Sequence, residues 1–323
     1  MYSSKGNNGI RSEEKNELVN ILNMHFSEGL TQSEIAKKSN VSNTIISRKI
    51  KKGIEHRLVD YYFQDETAYT VNLEKQLEER YQLDEVIVTP AYKRSPEMIE
   101  YEVSKAAAFH LLSQIEHVSK IGLTWGGTIW RFISAVPHQS HPNLCIIPLC
   151  GGIGSTNLEL HSNSLAFELA ERFSCDYTSL YAPAIVSSEE LKAQLEQMDS
   201  ISTVLKRGRE VDMAFVGIGG IHPETSILSK LGYINKTEYS QLKKQGAVGD
   251  IGCMFFDKSG NEVVSDFNKK VVAVELANLR EIPDVVGIAC GVHKAEAVKG
   301  CLNGKYLNTL IIDSQLANQL LED

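Results

Sequence analysis

The strongest constraint in this 323-residue sequence is a rhythm. Beyond residue 85, short apolar runs alternate with longer amphipathic stretches. The runs fall at residues 86–88, 121–124, 144–149, 213–218, 271–276, 285–290 and 309–312. Between several of them lie helical patterns at 96–115, 162–173, 189–206 and 294–302. Strands alternating with helices predict a parallel sheet covered on both faces. In such sheets ligands bind beyond the carboxyl ends of the strands.

Glycine marks those ends. Gly122-Leu123-Thr124-Trp125-Gly126-Gly127-Thr128 follows one run and precedes a helix. Leu149-Cys150-Gly151-Gly152-Ile153-Gly154 follows the next, and Val216-Gly217-Ile218-Gly219-Gly220 a third. Glycine lets backbone approach a ligand, and amides at a helix N-terminus bind an anion. The Thr128 hydroxyl adds a donor. Three such turns at strand ends predict one phosphate-bearing ligand. No G-x-G-x-x-G opens a βαβ unit, and no Gly-Lys-Ser/Thr completes a Walker A loop.

The first 72 residues follow another rule. Residues 14–28 predict a helix with Leu18, Val19, Leu22 and Phe26 at helical spacing, ended by Gly29. Thr31-x-x-Glu34 is a capping box, and Ile35 and Ala36 face inward behind it. Asn40 suits a left-handed turn, and Ser42 is an N-cap for a third helix reaching Gly53 with Ile45, Ile46 and Ile50 buried. This is helix-turn-helix spacing, with the third helix entering a DNA major groove. Asn43, Thr44, Ser47 and Arg48 are placed for base edges or phosphates. Lys49, Lys51 and Lys52 suit phosphates. Thr31 and Ser42, at the two helix starts, complete the candidate DNA-binding set. Two short β-prone runs within residues 61–71 predict a hairpin wing, and LEKQLEERY from Leu73 a linker helix. The predicted domains are 1–72, a linker at 73–84, and 85–323.

Charge agrees only when divided. The whole chain carries −8, which by itself argues against nucleic acid. Residues 1–72 hold ten bases and nine acids, and residues 37–57 hold seven bases against Glu55 alone. A basic helix in an acidic chain marks a phosphate-backbone binder.

Other classes recede. No stretch approaches the roughly 18 apolar residues of a membrane span, and the polar N-terminus lacks a secretory h-region. The expectation is a cytoplasmic protein. Cys145, Cys150, Cys175, Cys253, Cys290 and Cys301 form no C-x-x-C pair, so neither a disulfide framework nor a metal site is expected.

Taken in order, the helix-turn-helix, LEKQLEERYQLDEVIV, GLTWGGT, PLCGGIG, VGIGG, QGAVGDIGCMFFDKSGN and GVHKAEAVKGCLNGKYLNTLIID resemble SorC/DeoR-type sugar-responsive bacterial transcription regulators. The resemblance runs from about Glu14 to the C-terminus. It implies an α/β chain: a winged helix-turn-helix followed by a Rossmann-like parallel-sheet effector-binding domain, similar to sugar-phosphate isomerases and glucosamine-phosphate deaminases. It implies a homodimeric or homotetrameric repressor of a carbohydrate-catabolism operon, less often an activator. Its affinity for double-stranded operator DNA would be set by a phosphorylated sugar, with no cofactor. By that resemblance Gly126, Gly127 and Thr128 cradle the phosphate, with Gly219 on a second loop. Lys294 neutralises the phosphate, and Gly152, Asn163 and Asp250 line the sugar. Cys150 stands where some relatives carry lysine, and a thiol cannot form a Schiff base with a sugar aldehyde.

Two other readings compete. An isomerase or deaminase would need Asp250 as base, with His293 or Glu275 as second acid or base. A nucleotide-binding regulator lacks its fingerprints.

Overall fold

A computed structural model describes residues 12–56, 58, 66–153, 158–224 and 226–322. The chain divides into two compact units, 1–64 and 65–323.

In the first unit, α1 (Ser12–Phe26), α2 (Gln32–Lys38) and α3 (Asn43–Glu55) surround one small core. Ile21, Leu22, Ile35, Ala36, Ile46 and Ile50 form it, and Leu18 is buried as well. The expected face of α1 needs correction: Val19 and Phe26 are exposed, and Ile21 takes the inward place. Positions 18, 21 and 22 are three and four residues apart, which puts them on one helix face. The capping box forms as expected. Thr31 N donates to Glu34 at 2.8 Å, and Glu34 N donates to Thr31 Oγ1 at 3.3 Å. Asn40 adopts φ 51°, and Ser42 caps α3.

The second unit opens with α4 (Glu66–Tyr81), so helix begins seven residues before Leu73. The wing expected within residues 61–71 lies partly outside the described residues. Its second run is helical, because Thr70, Leu73 and Leu77 share one buried face. Then follow β1 (Glu85–Thr89), α5 (Pro96–Gln114), β2 (Lys120–Leu123), α6 (Gly127–Ala135), β3 (Cys145–Pro148), α7 (Ser162–Phe173) and β4 (Asp176–Tyr177). Next come α8 (Glu189–Glu196), α9 (Asp199–Arg209), β5 (Met213–Gly220), α10 (Ile227–Lys230) and α11 (Lys236–Lys244). The chain closes with β6 (Ala247–Ile251), β7 (Met254–Asp257), α12 (Leu276–Leu279), β8 (Asp284–Ile288), α13 (Ala295–Asn303), β9 (Thr309–Asp313) and α14 (Ser314–Leu321).

Seven strands form a parallel sheet in the order β1-β9-β8-β5-β2-β3-β4. From β2 the chain moves outward through β3 and β4, then returns to β5 on the other side of β2. The β2/β5 border is therefore the switch point, where helices leave to opposite faces and open a crevice. Alternate strand residues fill two cores. Met213, Phe215, Val286, Ile288 and Ile311 pack with α5, α6 and α7; Ala214, Val216, Val285, Leu310 and Ile312 pack on the other face.

Two expectations are corrected. Residues 271–276 form no ladder strand. Their buried backbone must still be paired: Val274 N donates to Leu149 at 2.7 Å, Gly151 N to Val272 at 2.9 Å, and Val272 N to Ala184 at 2.8 Å. The segment thus crosses the end of β3 antiparallel. Residues 189–206 form two helices, α8 and α9, broken at Gln197 and Met198. The stretch QGAVGDIGCMFFD, one of the motifs that carry the family resemblance, forms the antiparallel hairpin β6–β7 on the extended end of β5.

Candidate functional site

The crevice at the switch point holds a cavity of about 410 Å³. Its walls come from the loop after β2, the end of β5, β6, and the turn before α13. Gly126, Gly127, Thr128, Gly219, Asp250 and Lys294, remote in sequence, all line it. Thr124 Oγ1, accepting from Gly217 N at 3.2 Å, ties the two strand ends together.

Gly126 is the N-cap of α6 with φ 116°, a conformation that β-carbon-bearing residues rarely adopt, and no side chain caps this helix. The first amides of a helix lack intrahelical partners, and Gly127 and Thr128, which open α6, line the cavity. Gly219 is demanded by close approach. It pairs with Asp250 across β5–β6, and a Cβ there would lie 1.9 Å from Asp250 Oδ1.

Asp250 Oδ2 accepts from Cys253 N at 3.1 Å. Burial pushes this carboxyl up to about 6, against the opposing pull of Lys294 and that hydrogen bond. Burial lowers the Lys294 ammonium, and Asp250 partly restores it. Lys294 Nζ donates to Ile218 O at 2.8 Å, which aims it across the end of β5. The cavity also holds Arg131, paired with Glu100 at 2.9 Å, and Lys230. Neither shows in the sequence pattern, because Arg131 lies one turn beyond the glycines that open α6 and Lys230 lies in a segment without a glycine-rich signature.

Two expected residues lie elsewhere. Gly152 is pressed against the His161 ring and is hydrogen-bonded to Ala182 and Ala184. Asn163 clamps Leu180, accepting from its N at 2.9 Å and donating to its O at 3.1 Å. Both amide ends of Asn163 are thereby used. Cys150 is fully buried, and burial holds its thiol protonated, up to about 12. Of the two residues the enzyme reading pairs with Asp250, His293 lines the cavity, whereas Glu275 is the exposed residue before α12.

In the first unit the DNA-binding candidates separate into three groups. Asn43, Thr44, Ser47, Arg48 and Lys51 are exposed on one face of α3. Asn43 Nδ2 also donates to Ser33 Oγ at 2.9 Å. Thr31 and Ser42 are engaged as caps. Lys49 and Lys52 reach back to Glu17 and Glu14 of α1.

The family described as "Putative sugar-binding domain" matches residues 65–322. The deoxyribonucleoside regulator of Bacillus subtilis is 29% identical over 315 residues, covering 96% of this chain and 99% of that protein. The sorbitol operon regulator of Klebsiella pneumoniae is 26% identical over 311 residues, covering 94% and 97%. Among solved structures, a DeoR family transcriptional regulator from Listeria monocytogenes is 35% identical with a TM-score of 0.73, covering 78% of this chain and 99% of that one. The full-length sorbitol operon regulator structure, at 24% identity and TM-score 0.74 over 97% of this chain, shares the fold.

Proposed function

The chain belongs to the DeoR/SorC-type transcriptional regulators with a sugar-binding domain, and from that premise we propose that a phosphorylated sugar in the β2/β5 crevice controls its grip on operator DNA. It is a DNA-binding transcriptional regulator. The finer reading is a cytoplasmic repressor of a carbohydrate-catabolism operon, acting as a homodimer or homotetramer on a palindromic site.

One observation carries this reading. Uncapped α6 amides, a half-buried ammonium and a carboxylate meet in one cavity. The amides of residues 126–128 and Lys294 suit a phosphate, because both supply positive potential. Asp250 suits sugar hydroxyls, since a carboxylate accepts from them. No cofactor is invoked. Gly152 and Asn163 would act through the framework behind the cavity. On α3, the exposed Asn43, Thr44, Ser47 and Arg48 suit base edges and Lys51 phosphates.

Thermal shift with ribose 5-phosphate, 2-deoxyribose 5-phosphate, glucose 6-phosphate, fructose 6-phosphate and fructose 1,6-bisphosphate tests the ligand class, with the free sugars and nucleotides as controls. A sugar phosphate should raise the melting temperature, because it binds the folded state. It should also change anisotropy of labelled upstream DNA. Stabilisation by nucleotides alone would overturn the reading.

The placement of His293 beside the Asp250 cavity keeps a second reading open to test. Turnover of any panel member that disappears in Asp250→Asn would make the domain an enzyme.

A further inference from the structure

We propose that Asp313 is the positioning residue through which the effector cavity and helix α4 respond together. The proposal rests on the sugar-phosphate reading for its trigger, but the coupling itself is a property of the fold.

Asp313 ends β9 and is fully buried. Its two carboxylate oxygens serve different segments. Oδ1 accepts from Gln315 N at 2.9 Å and Leu316 N at 3.0 Å, capping α14. Oδ2 accepts from Gly291 N at 2.7 Å. Gly291 opens the turn that carries His293 and Lys294 into the cavity. One buried side chain therefore holds both the ligand-facing turn and the start of a helix. A ligand that moves Lys294 moves Gly291, and the carboxylate cannot follow it without loosening its hold on α14. Close-packed interiors leave little slack to absorb such a shift.

Helix α14 transmits the displacement. Leu316, Ala317 and Leu320 are fully buried, so it moves as a packed body. Its outer side is bonded to α4. Tyr69 donates to Asn318 Oδ1 at 2.8 Å, Arg80 to Leu321 O at 2.8 Å, and Tyr81 to Leu320 O at 3.0 Å. Helix α4 in turn fastens to the sheet edge, where Glu78 and Glu74 accept from Val86 N and Val88 N at 3.0 and 2.9 Å. In the chain, α4 is the first helix after the DNA-binding unit. A carboxylate that joins both segments offers a physical connection of the kind coupling between sites requires.

Hydrogen exchange on the full-length chain tests this. In Asp313→Asn without ligand, one oxygen becomes an amide donor facing backbone N–H groups. Exchange should rise at least about tenfold in three places together: residues 291–294, the start of α14, and α4. A cap of purely local importance would loosen residues 314–317 alone, and that result overturns the proposal. Gly291→Ala provides the reciprocal variant. It strains a residue at φ +90° and brings a β-carbon to 2.9 Å from the His293 ring, while the capping carboxylate itself is unaltered. It should also loosen α4, and loosening confined to residues near 291 overturns the proposal even if Asp313→Asn does not fold. Each sugar phosphate of the panel above is then added to wild type and variant, reading operator affinity. Coupling in wild type of roughly 5–150-fold should fall to about twofold or less in Asp313→Asn. If no panel member binds the wild type, the sugar-phosphate reading fails, while the ligand-free exchange still decides the role of Asp313.

Discussion

Gly219 and Asp250 face each other across β5 and β6, and the Asp250 carboxylate occupies the space that a β-carbon on Gly219 would need. The glycine that closes a strand and the acid that lines the cavity are one geometric unit. Gly219→Ala should displace the carboxylate and weaken sugar-phosphate binding at least about tenfold, equivalent to ~1.4 kcal/mol. Calorimetric titration measures the loss, with circular dichroism confirming the fold. Unchanged affinity would separate Asp250 from the ligand.

Asp250 also sets a pH signature. Its folded-state pKa, about 6, lies above the ordinary carboxylate value because burial disfavours the charge. The folded state therefore binds the proton more tightly than the unfolded one between roughly pH 4 and 6. The stabilising contribution is fully present below about pH 4 and is lost as pH rises through about 6. Asp250→Asn should remove this dependence and raise stability at pH 7, by on the order of 1–3 kcal/mol. Urea unfolding of both proteins across pH 4 to 7 reads the difference, and parallel profiles would refute it.

On α3, Arg48 and Lys49 are neighbours with different fates. Arg48 is exposed, whereas Lys49 already pairs with Glu17. Arg48→Ala should weaken operator binding by about 1–3 kcal/mol. Lys49→Ala should cost less, since a lysine bound to DNA must first give up its carboxylate. Anisotropy titrations at several salt concentrations distinguish them, and equal losses would count against the assigned face.

The edge of β1 offers a fourth test. Val88 N donates to Glu74, and burial raises this carboxyl even though the hydrogen bond opposes it. Glu74→Ala leaves that amide without its partner and should destabilise the second unit by about 1–3 kcal/mol. Glu74→Gln keeps an acceptor and should cost less. Chemical denaturation compares the two, and an equal loss would point to packing instead.

The three-helix unit was largely legible from sequence because its signals are local. Capping boxes, left-handed turn residues and a 3.6-residue period act within a few positions. The exchange of Val19 and Phe26 for Ile21 shows the limit. Several apolar residues of α1 could face inward, and only α2 and α3 decided which did. In the second unit, the strand after residue 85, the β2 and β5 turns, and α7 at Ser162–Phe173 followed from period and glycine placement. The run at 271–276 had the same composition as a central strand, yet it pairs antiparallel across the end of β3. Composition says a segment is buried but not which backbone will satisfy it.

The candidate site divides in the same way. The sequence by itself determined that several strands end in glycine and that one such turn opens a helix, because these are properties of short segments. It also determined that a basic helix belongs to an otherwise acidic chain. Only the tertiary structure decided that β2 and β5 are neighbours at the switch point, bringing Gly126, Gly219, Asp250 and Lys294 around one cavity while leaving Gly152 and Asn163 in the framework behind it. It likewise decided that Lys49 and Lys52 turn to α1 and that Asp313 holds Gly291. Each of these is a meeting between residues far apart in the chain. Such meetings depend on strand order and on packing between whole elements, quantities that no local pattern of residues encodes.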